Sequence, residues 1–165
     1  PGAYKKYTTE LFPEAGPFIQ ETGDYVRKYG YVTTASGYRI HVDRDKPYVG
    51  VNAICQGTAG DIIKLAMVVI DAYLRKLSDD VRPILQVHDE LVFLTKKPSP
   101  LVHERLWAIR HIMERCATHY GIPCKTDLEI IRVSWDKPEK YSFDVPARRI
   151  KTLEREVDAA FKLCI

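Results

Sequence analysis

The sequence predicts an α+β fold of the ferredoxin-like, split βαβ type that lacks its first strand, and two observations support this. Apolar residues recur at helical spacing over 59–77 and over 100–120, whereas β-branched and apolar runs at 81–87, 91–95 and 128–133 indicate strands. The order from residue 58 onward is therefore helix, strand, strand, helix, strand. The complete order is β-α-β-β-α-β, so only the first strand is not accounted for.

Bulk composition limits the function without identifying it. The 165 residues suffice for one domain, or one domain with an appendage, and the net charge of +3 is compatible with a polyanionic partner. The four cysteines have no C-x-x-C spacing and do not cluster with histidine, which predicts a reducing compartment without a zinc site or a disulfide framework. The longest apolar run, 65–70, is too short to cross a bilayer, so we expect a cytoplasmic protein with no membrane contact.

The first part of the chain is predicted to form a helix and then a short hairpin. Apolar and aromatic residues at helical spacing over 14–29 indicate the helix, and Gly30 is a suitable stop. Two β-rich runs within 31–42 flank Ser36 and Gly37, which indicates a hairpin, and the charged segment 43–48 indicates a loop.

One helix is expected before the central strand pair in the sequence and one after it. The Thr-Ala-Gly-Asp motif at 58–61 has the form of a capping box, which places the start of the first helix near residue 59. Apolar residues cover more than half of its circumference, so we expect it to be largely buried. Ser99 and Pro100 suit the N-cap and first position of the second helix, and Gly121 suits its end.

The last predicted strand, 128–133 with Trp135 after it, would lack a neighbour. In the split βαβ fold the first strand lies in the middle of the sheet, so its absence exposes two unpaired edges. We therefore expect another polypeptide to supply that strand. The final segment, 137–165, begins as a polar connector and continues as an amphipathic helix. Packing of this helix on its own domain and docking to a partner chain are equally open.

An acidic tripeptide joins the two central strands. His88-Asp89-Glu90 lies where hairpins usually carry Asn-Gly, Asp-Gly or Gly-Gly, because such turns need positive backbone dihedrals. Two adjacent carboxylates repel each other, so a compensating cation is indicated, most simply a hard divalent metal bound through oxygen. This turn is the candidate metal site.

Several motifs occur in one order along the chain and together point to a known family. They are Gly-Tyr-Val-Thr-Thr at 30–34 with Gly37 and Arg39, then Asn52, Gln-Gly-Thr-Ala at 56–59, Asp-Ile-Ile-Lys at 61–64 and Gln-Val-His-Asp-Glu-Leu-Val-Phe at 86–93. With these motifs the chain resembles the C-terminal part of a family A DNA polymerase, the bacterial DNA polymerase I type. The resemblance covers about residues 1–136.

The resemblance implies roles for the acidic turn. In this family the palm subdomain binds two magnesium ions that clamp the attacking 3′-hydroxyl, the incoming deoxynucleoside triphosphate and the leaving pyrophosphate. By resemblance Asp89 is a metal ligand, and Glu90 shapes the site near the metal or the primer end. His88 would approach the primer terminus, although a turn histidine with a purely structural hydrogen bond is the alternative. All three are candidate catalytic residues, and Asp89 and Glu90 are the candidate metal residues.

A second group matches the family's contacts to primer-template DNA. Asn52 and Gln56 correspond to a pair that hydrogen-bonds the minor groove, where acceptors occur on every Watson–Crick pair, so donors there sense pair geometry without reading sequence. Lys64 is a candidate phosphate contact, and Arg39 is a candidate support for the duplex or for an acidic neighbour. Without the resemblance, Asn52 and Gln56 would be polar residues near a helix start and Lys64 a solvated lysine.

The chain departs from the family in what it lacks. It contains neither the second metal-binding aspartate, which the family carries on an upstream strand, nor the fingers helix that binds the triphosphate. The missing aspartate belongs to the same strand that the topology lacks. We therefore expect 1–51 to be the C-terminal part of a fingers-like region, 52–136 the palm subdomain and 137–165 an extension. The whole would be the C-terminal subunit or fragment of a split DNA polymerase, inactive without a partner chain.

Other functions predict different behaviour. A noncatalytic nucleic-acid-binding or scaffolding remnant would bind duplex in a salt-dependent way without activity in any mixture. A single-subunit RNA polymerase fragment would usually have a different residue after His-Asp. A His-Asp metal phosphohydrolase needs further ligands, and His103, His111 and His119 drift by about 80° per step around their helix, so they do not converge on one ion.

Overall fold

The computed structural model describes residues 10–77, 80–96, 99–131, 139–140 and 145–165. Its elements, in chain order, are α1 (Ala15–Tyr29), β1 (Tyr31–Thr33), β2 (Arg39–His41), α2 (Val49–Leu74), β3 (Val81–Val87), β4 (Glu90–Thr95), α3 (Pro100–His119), β5 (Glu129–Ile130), β6 (Glu139–Lys140) and α4 (Ala147–Lys162). The chain divides into two compact units, Pro1–Asp61 and Ile62–Ile165, and the division falls within α2.

The first unit contains the predicted helix and hairpin. Helix α1 ends at Tyr29 and is capped by Gly30, whose φ of 74° is the left-handed conformation that glycine adopts without strain. The Gly30 N–H donates to the carbonyl of Val26. Strands β1 and β2 are antiparallel, with Val32 opposite Ile40. Val26, Val32 and Val42 form the buried core of this unit. Both sequence predictions are confirmed here.

Helix α2 begins at Val49, so the predicted start near residue 59 is wrong. The supposed capping residues have other partners. The Thr58 hydroxyl oxygen accepts a hydrogen bond from the backbone N–H of Ala35 at 3.1 Å, and Asp61 accepts hydrogen bonds from two hydroxyl groups of the same hairpin turn. These polar side chains therefore lie in the interior of a helix and bind a turn that is distant in sequence.

The expectation that this helix is largely buried is also wrong. Ala66, Val69 and Ile70 are buried, but Met67 and Val68 are 43% and 55% exposed. By length and composition alone, α2 is apolar enough to cross a membrane, contrary to the estimate from the run 65–70. Core helices of soluble proteins pass the same test, so this finding is weak support for a membrane segment.

The second unit is built on the central hairpin and helix α3. Strands β3 and β4 pair antiparallel, with a bulge between Pro83 and Leu85. The Ser99 hydroxyl oxygen accepts from the Val102 N–H at 3.2 Å, and Pro100 takes the first helical position, which confirms the predicted start of α3. The buried core of this unit comprises Ala66, Val69, Ile70, Tyr73, Val81, Val102, Leu106, Ala108, Ile109, Ile112, Cys116, Val157, Ala160 and Phe161.

The strands of the second unit form two separate pairs in the part of the chain that the structure describes. Strand β3 pairs with β4, and β5 pairs with β6, a strand within the predicted polar connector. The helix–strand–strand–helix–strand order is confirmed, and the fold is α+β. Within the described residues the hairpin and β5 are not hydrogen-bonded to each other, as expected if a central strand is missing. The end of the predicted strand, 132–133, and Trp135 lie outside the described residues.

The C-terminal amphipathic helix packs on its own unit. Leu153 and Val157 of α4 are buried, and Val157 belongs to the same core as α3. The Arg149 guanidinium donates two hydrogen bonds to the Glu104 carboxylate, at 2.9 and 2.8 Å, and holds the pKa of that carboxyl below its usual value. An ion pair between Arg115 and Asp158 joins the same two helices. Of the two alternatives from the sequence, packing within the chain is the one observed.

Candidate functional site

The acidic tripeptide forms a two-residue turn. Strand β3 ends at Val87 and β4 begins at Glu90, which pairs with Val87, so only His88 and Asp89 lie in the loop. His88 has a φ of 53°. Positive φ at the first loop position is the pattern of a type II′ turn, which favours glycine there. A non-glycine residue in this conformation costs free energy, which indicates that the His88 side chain has a use other than turn formation.

The side chains of the turn face open solvent. His88, Asp89 and Glu90 are all exposed. The Gln86 side-chain amide donates a hydrogen bond to the His88 carbonyl at 2.5 Å, which supports the turn from β3. The turn therefore presents two neighbouring carboxylates that a ligand can reach.

The donor chemistry of the turn fits part of a magnesium site. Among the described residues no group of three or more His, Cys, Asp or Glu side chains is arranged so that it could hold a metal ion. Magnesium keeps several of its waters and is commonly held by one or two carboxylates together with substrate phosphates. Asp89 and Glu90 can supply such carboxylates.

Two of the predicted DNA-contact residues lie on one side of helix α2. Asn52 and Gln56 are both exposed and are separated by about one helical turn, so their side-chain amides are neighbours on the helix surface. Lys64 lies further along the same helix and is exposed. The structure thus leaves the amides of Asn52 and Gln56 accessible to a partner.

Arg39 belongs to a cluster of aromatic residues on the first unit. Its guanidinium lies 4.9 Å from the centre of the Tyr31 ring, and the Tyr31 ring contacts the rings of Tyr25 and Tyr29. The Tyr25 hydroxyl donates to the Tyr31 hydroxyl at 3.0 Å, and this hydrogen bond raises the pKa of the Tyr25 phenol. Arg39 is therefore held in place by a cation–π contact.

A hydrogen-bond network that was not predicted from the sequence fixes the turn between β1 and β2. The hydroxyls of Thr34 and Ser36 each donate to the same Asp61 oxygen at 2.6 Å. Gly57 allows close approach of the hairpin, because a Cβ atom there would lie 2.7 Å from the Thr34 methyl group. The sequence features that could have indicated this network are the two hydroxyl residues of the hairpin turn, Thr34 and Ser36, and the single acidic residue Asp61 within an apolar segment.

Comparison with known families identifies the family in which this fold and acidic turn occur. The model of the family described as "DNA polymerase family A" matches residues 2–137. This chain belongs to DNA polymerase family A.

Individual relatives agree with this assignment. The chain is 32% identical over 136 residues to DNA polymerase I of Chloroflexus aurantiacus, covering 76% of the chain and 14% of the relative. It is 35% identical to the thermostable DNA polymerase I of Thermus thermophilus (73% and 15%) and 32% identical to the DNA-directed DNA polymerase of Pseudomonas phage M6 (73% and 18%). The chain therefore spans less than a fifth of the length of these relatives.

A solved structure shares the fold. The POL domain of Pol1 from M. smegmatis, in complex with a DNA primer-template and dNTP, superposes with a TM-score of 0.60 at 28% identity. The match covers 68% of this chain and 21% of that one.

Proposed function

We propose that this chain is the C-terminal, palm-containing part of a template-directed DNA polymerase and contributes half of a two-magnesium nucleotidyl-transfer site. The single observation that carries the proposal is the exposed Asp89-Glu90 pair on a two-residue turn, in a chain that belongs to DNA polymerase family A. The other half, with a second aspartate, would come from polypeptide that this sequence does not contain. In this proposal 1–51 is fingers-like, 52–136 is the palm and 137–165 is an extension.

Each residue of the turn has a distinct role in the proposed reaction. Bound magnesium would stabilise the attacking 3′-oxygen and the leaving pyrophosphate of an in-line displacement. Asp89 offers its exposed carboxylate as a ligand. Glu90 is the first residue of β4, pairs with Val87 through the backbone, and in this proposal supplies the second carboxylate. His88 is exposed at a positive φ that costs free energy, and in this proposal its side chain meets the primer end.

The amides of Asn52 and Gln56 would hold the primer-template duplex through the minor groove. Both are exposed and adjacent on α2, as such contacts require. Since every base pair presents acceptors in that groove, substitution of either residue should weaken duplex binding to a similar degree for all sequences. Arg39 and Lys64 would add charge near the duplex backbone.

A partner polypeptide would complete the sheet. The hairpin β3–β4 and the pair β5–β6 are separate in the described part of the chain, and unpaired strand edges readily accept another strand. A partner that carries the missing aspartate strand would both close the sheet and complete the metal site.

The test is primer extension by a reconstituted pair. The whole 165-residue chain is mixed with an upstream family A polymerase segment that carries the second aspartate and the fingers helix, in the presence of magnesium. We expect no extension by the chain alone and extension by the pair. The Asp89→Asn variant should lower extension by at least about 100-fold, since a lost metal contact removes several kcal/mol of transition-state stabilisation.

The matched control is Glu154→Gln, which removes one exposed carboxylate of α4 and should leave extension unchanged. Extension by the Asp89→Asn pair at the unmodified rate would contradict the catalytic assignment. Salt-dependent duplex binding without activity in any mixture would instead support the noncatalytic remnant.

A further inference from the structure

Helix α4 lies outside the part of the chain that matches the polymerase family. The family model ends at residue 137, whereas α4 spans Ala147–Lys162. Its apolar face packs within this chain, because Leu153, Val157 and Ala160 are at most 3% exposed. Any further role of the helix must therefore use its outward face.

The outward face of α4 carries a stripe of positive charge. Arg148, Lys151, Arg155 and Lys162 are all exposed. At about 100° per residue they fall within an arc of about 60°, on the side opposite the buried residues. We call these four residues the basic stripe. It extends over about 21 Å, given a rise of about 1.5 Å per residue.

The charges of the basic stripe are not neutralised within the described residues. The remaining basic residue of α4, Arg149, faces inward and is paired with Glu104. The acidic Asp158 is paired with Arg115 of α3. By contrast, no member of the basic stripe has an ion pair with a described residue. Arg149 and Asp158 are thus paired within the unit, whereas the basic stripe, beside which Glu154 is the one exposed acid of α4, is left for another partner.

The first turn of α4 is also built in a way that favours an anion. It contains no acidic residue, and Pro146 at the N-cap makes no side-chain hydrogen bond to the helix. Arg148 and Lys151 lie in or next to that turn, where positive side chains oppose the helix dipole and where backbone N–H groups lack helical partners. A bound phosphate would satisfy the N–H groups and compensate the positive charge.

We propose that the basic stripe of α4 binds the phosphate backbone of duplex DNA and so adds a contact outside the polymerase fold. At about 3.4 Å per phosphate along one strand, its length corresponds to about six phosphates. An anionic membrane is the less suitable partner, because amphipathic helices bind bilayers through an apolar face, and in α4 that face is buried against the core. The proposal rests on the proposed polymerase role only in the choice of DNA as partner.

The test is DNA binding by the whole chain at several salt concentrations, measured by fluorescence anisotropy with a labelled primer-template duplex and no nucleotide. The triple variant Arg148→Gln, Lys151→Gln, Arg155→Gln should bind more weakly. Its plot of log affinity against log salt should be shallower by about 2.7, at about 0.9 per phosphate contact. The matched control removes three exposed lysines outside α4 (Lys46→Gln, Lys76→Gln, Lys125→Gln) and should change the slope by much less.

A second variant separates charge from folding. Arg148→Lys with Arg155→Lys keeps the charge and should keep the salt slope, and equal thermal unfolding of all variants would establish that the fold is retained. Equal slopes for the triple variant and the lysine control would overturn the proposal, as would binding to anionic vesicles but not to DNA. The Asp89→Asn variant should lose as much salt slope as the unmodified chain does when the basic stripe is removed. A failure of the catalytic proposal can therefore be told apart from a failure of the DNA-binding proposal.

Discussion

The two hairpins of this chain differ in what holds their turns. The turn between β1 and β2 has Gly37 at a φ of 88°, and its Thr34 and Ser36 hydroxyls are bound by Asp61. The turn between β3 and β4 has a histidine at positive φ and two exposed carboxylates. The residues of the first turn therefore stabilise the fold, whereas His88 in the second turn costs free energy, which the proposed ligand contacts of that turn would offset.

The largest expected difference in stability is between variants of the two aspartates, Asp61 and Asp89. Asp61→Ala removes the oxygen that accepts two hydrogen bonds, one of them from the buried Thr34. This change should lower the free energy of unfolding by about 3 kcal/mol. Asp89→Ala removes an exposed carboxylate beside Glu90 and should change it by no more than about 0.5 kcal/mol. Urea unfolding of both variants makes this comparison. A loss of stability in Asp89→Ala equal to that in Asp61→Ala would show that the acidic turn is structural.

A smaller effect is expected where the first hairpin approaches α2. A Cβ atom at Gly57 would meet the Thr34 methyl group and the end of Ile40, so Gly57→Ala should destabilise by about 1 to 3 kcal/mol through overpacking. A Cβ atom at Gly60, in the same helix, would have no neighbouring atom within 4 Å. Gly60→Ala should therefore stabilise by up to about 1 kcal/mol through helix propensity alone. Thermal unfolding of the two variants gives the sign of each effect, and a stabilising Gly57→Ala would contradict the close packing.

Local signals predicted most of the elements. Gly30 after α1, Ser99-Pro100 before α3 and the β-branched and apolar runs of β3 and β4 each reflect chemistry within a few residues, and the structure confirms these elements. The start of α2 could not be obtained in this way. Thr58 and Asp61 resemble capping residues locally, but their partners lie 23 to 27 residues away, and only tertiary packing brings them together.

The turn that carries the candidate site was predictable from the sequence, whereas what it binds stays a prediction. The mismatch between His88-Asp89-Glu90 and ordinary turn chemistry identified the turn, and the structure adds the positive φ of His88. The roles of Asp89 and Glu90 stay predictions, because both carboxylates are exposed and the packing of the chain itself does not determine what they bind. The charge distribution of α4 became readable only after the structure showed which of its faces is buried.

The smallest expected effect comes from replacing the residue at positive φ in each of the two turns. Gly37→Ala places a side chain at a φ of 88° in open space, so conformational strain alone should destabilise by about 1 kcal/mol. His88→Gly removes the comparable strain at a φ of 53° and should stabilise by a similar amount of about 1 kcal/mol. Urea unfolding measures both, and primer extension by the reconstituted pair measures what His88 provides in return. A stabilised His88→Gly variant with reduced extension would mean that strain in this turn is retained for function, whereas a destabilised one would make His88 a structural turn residue.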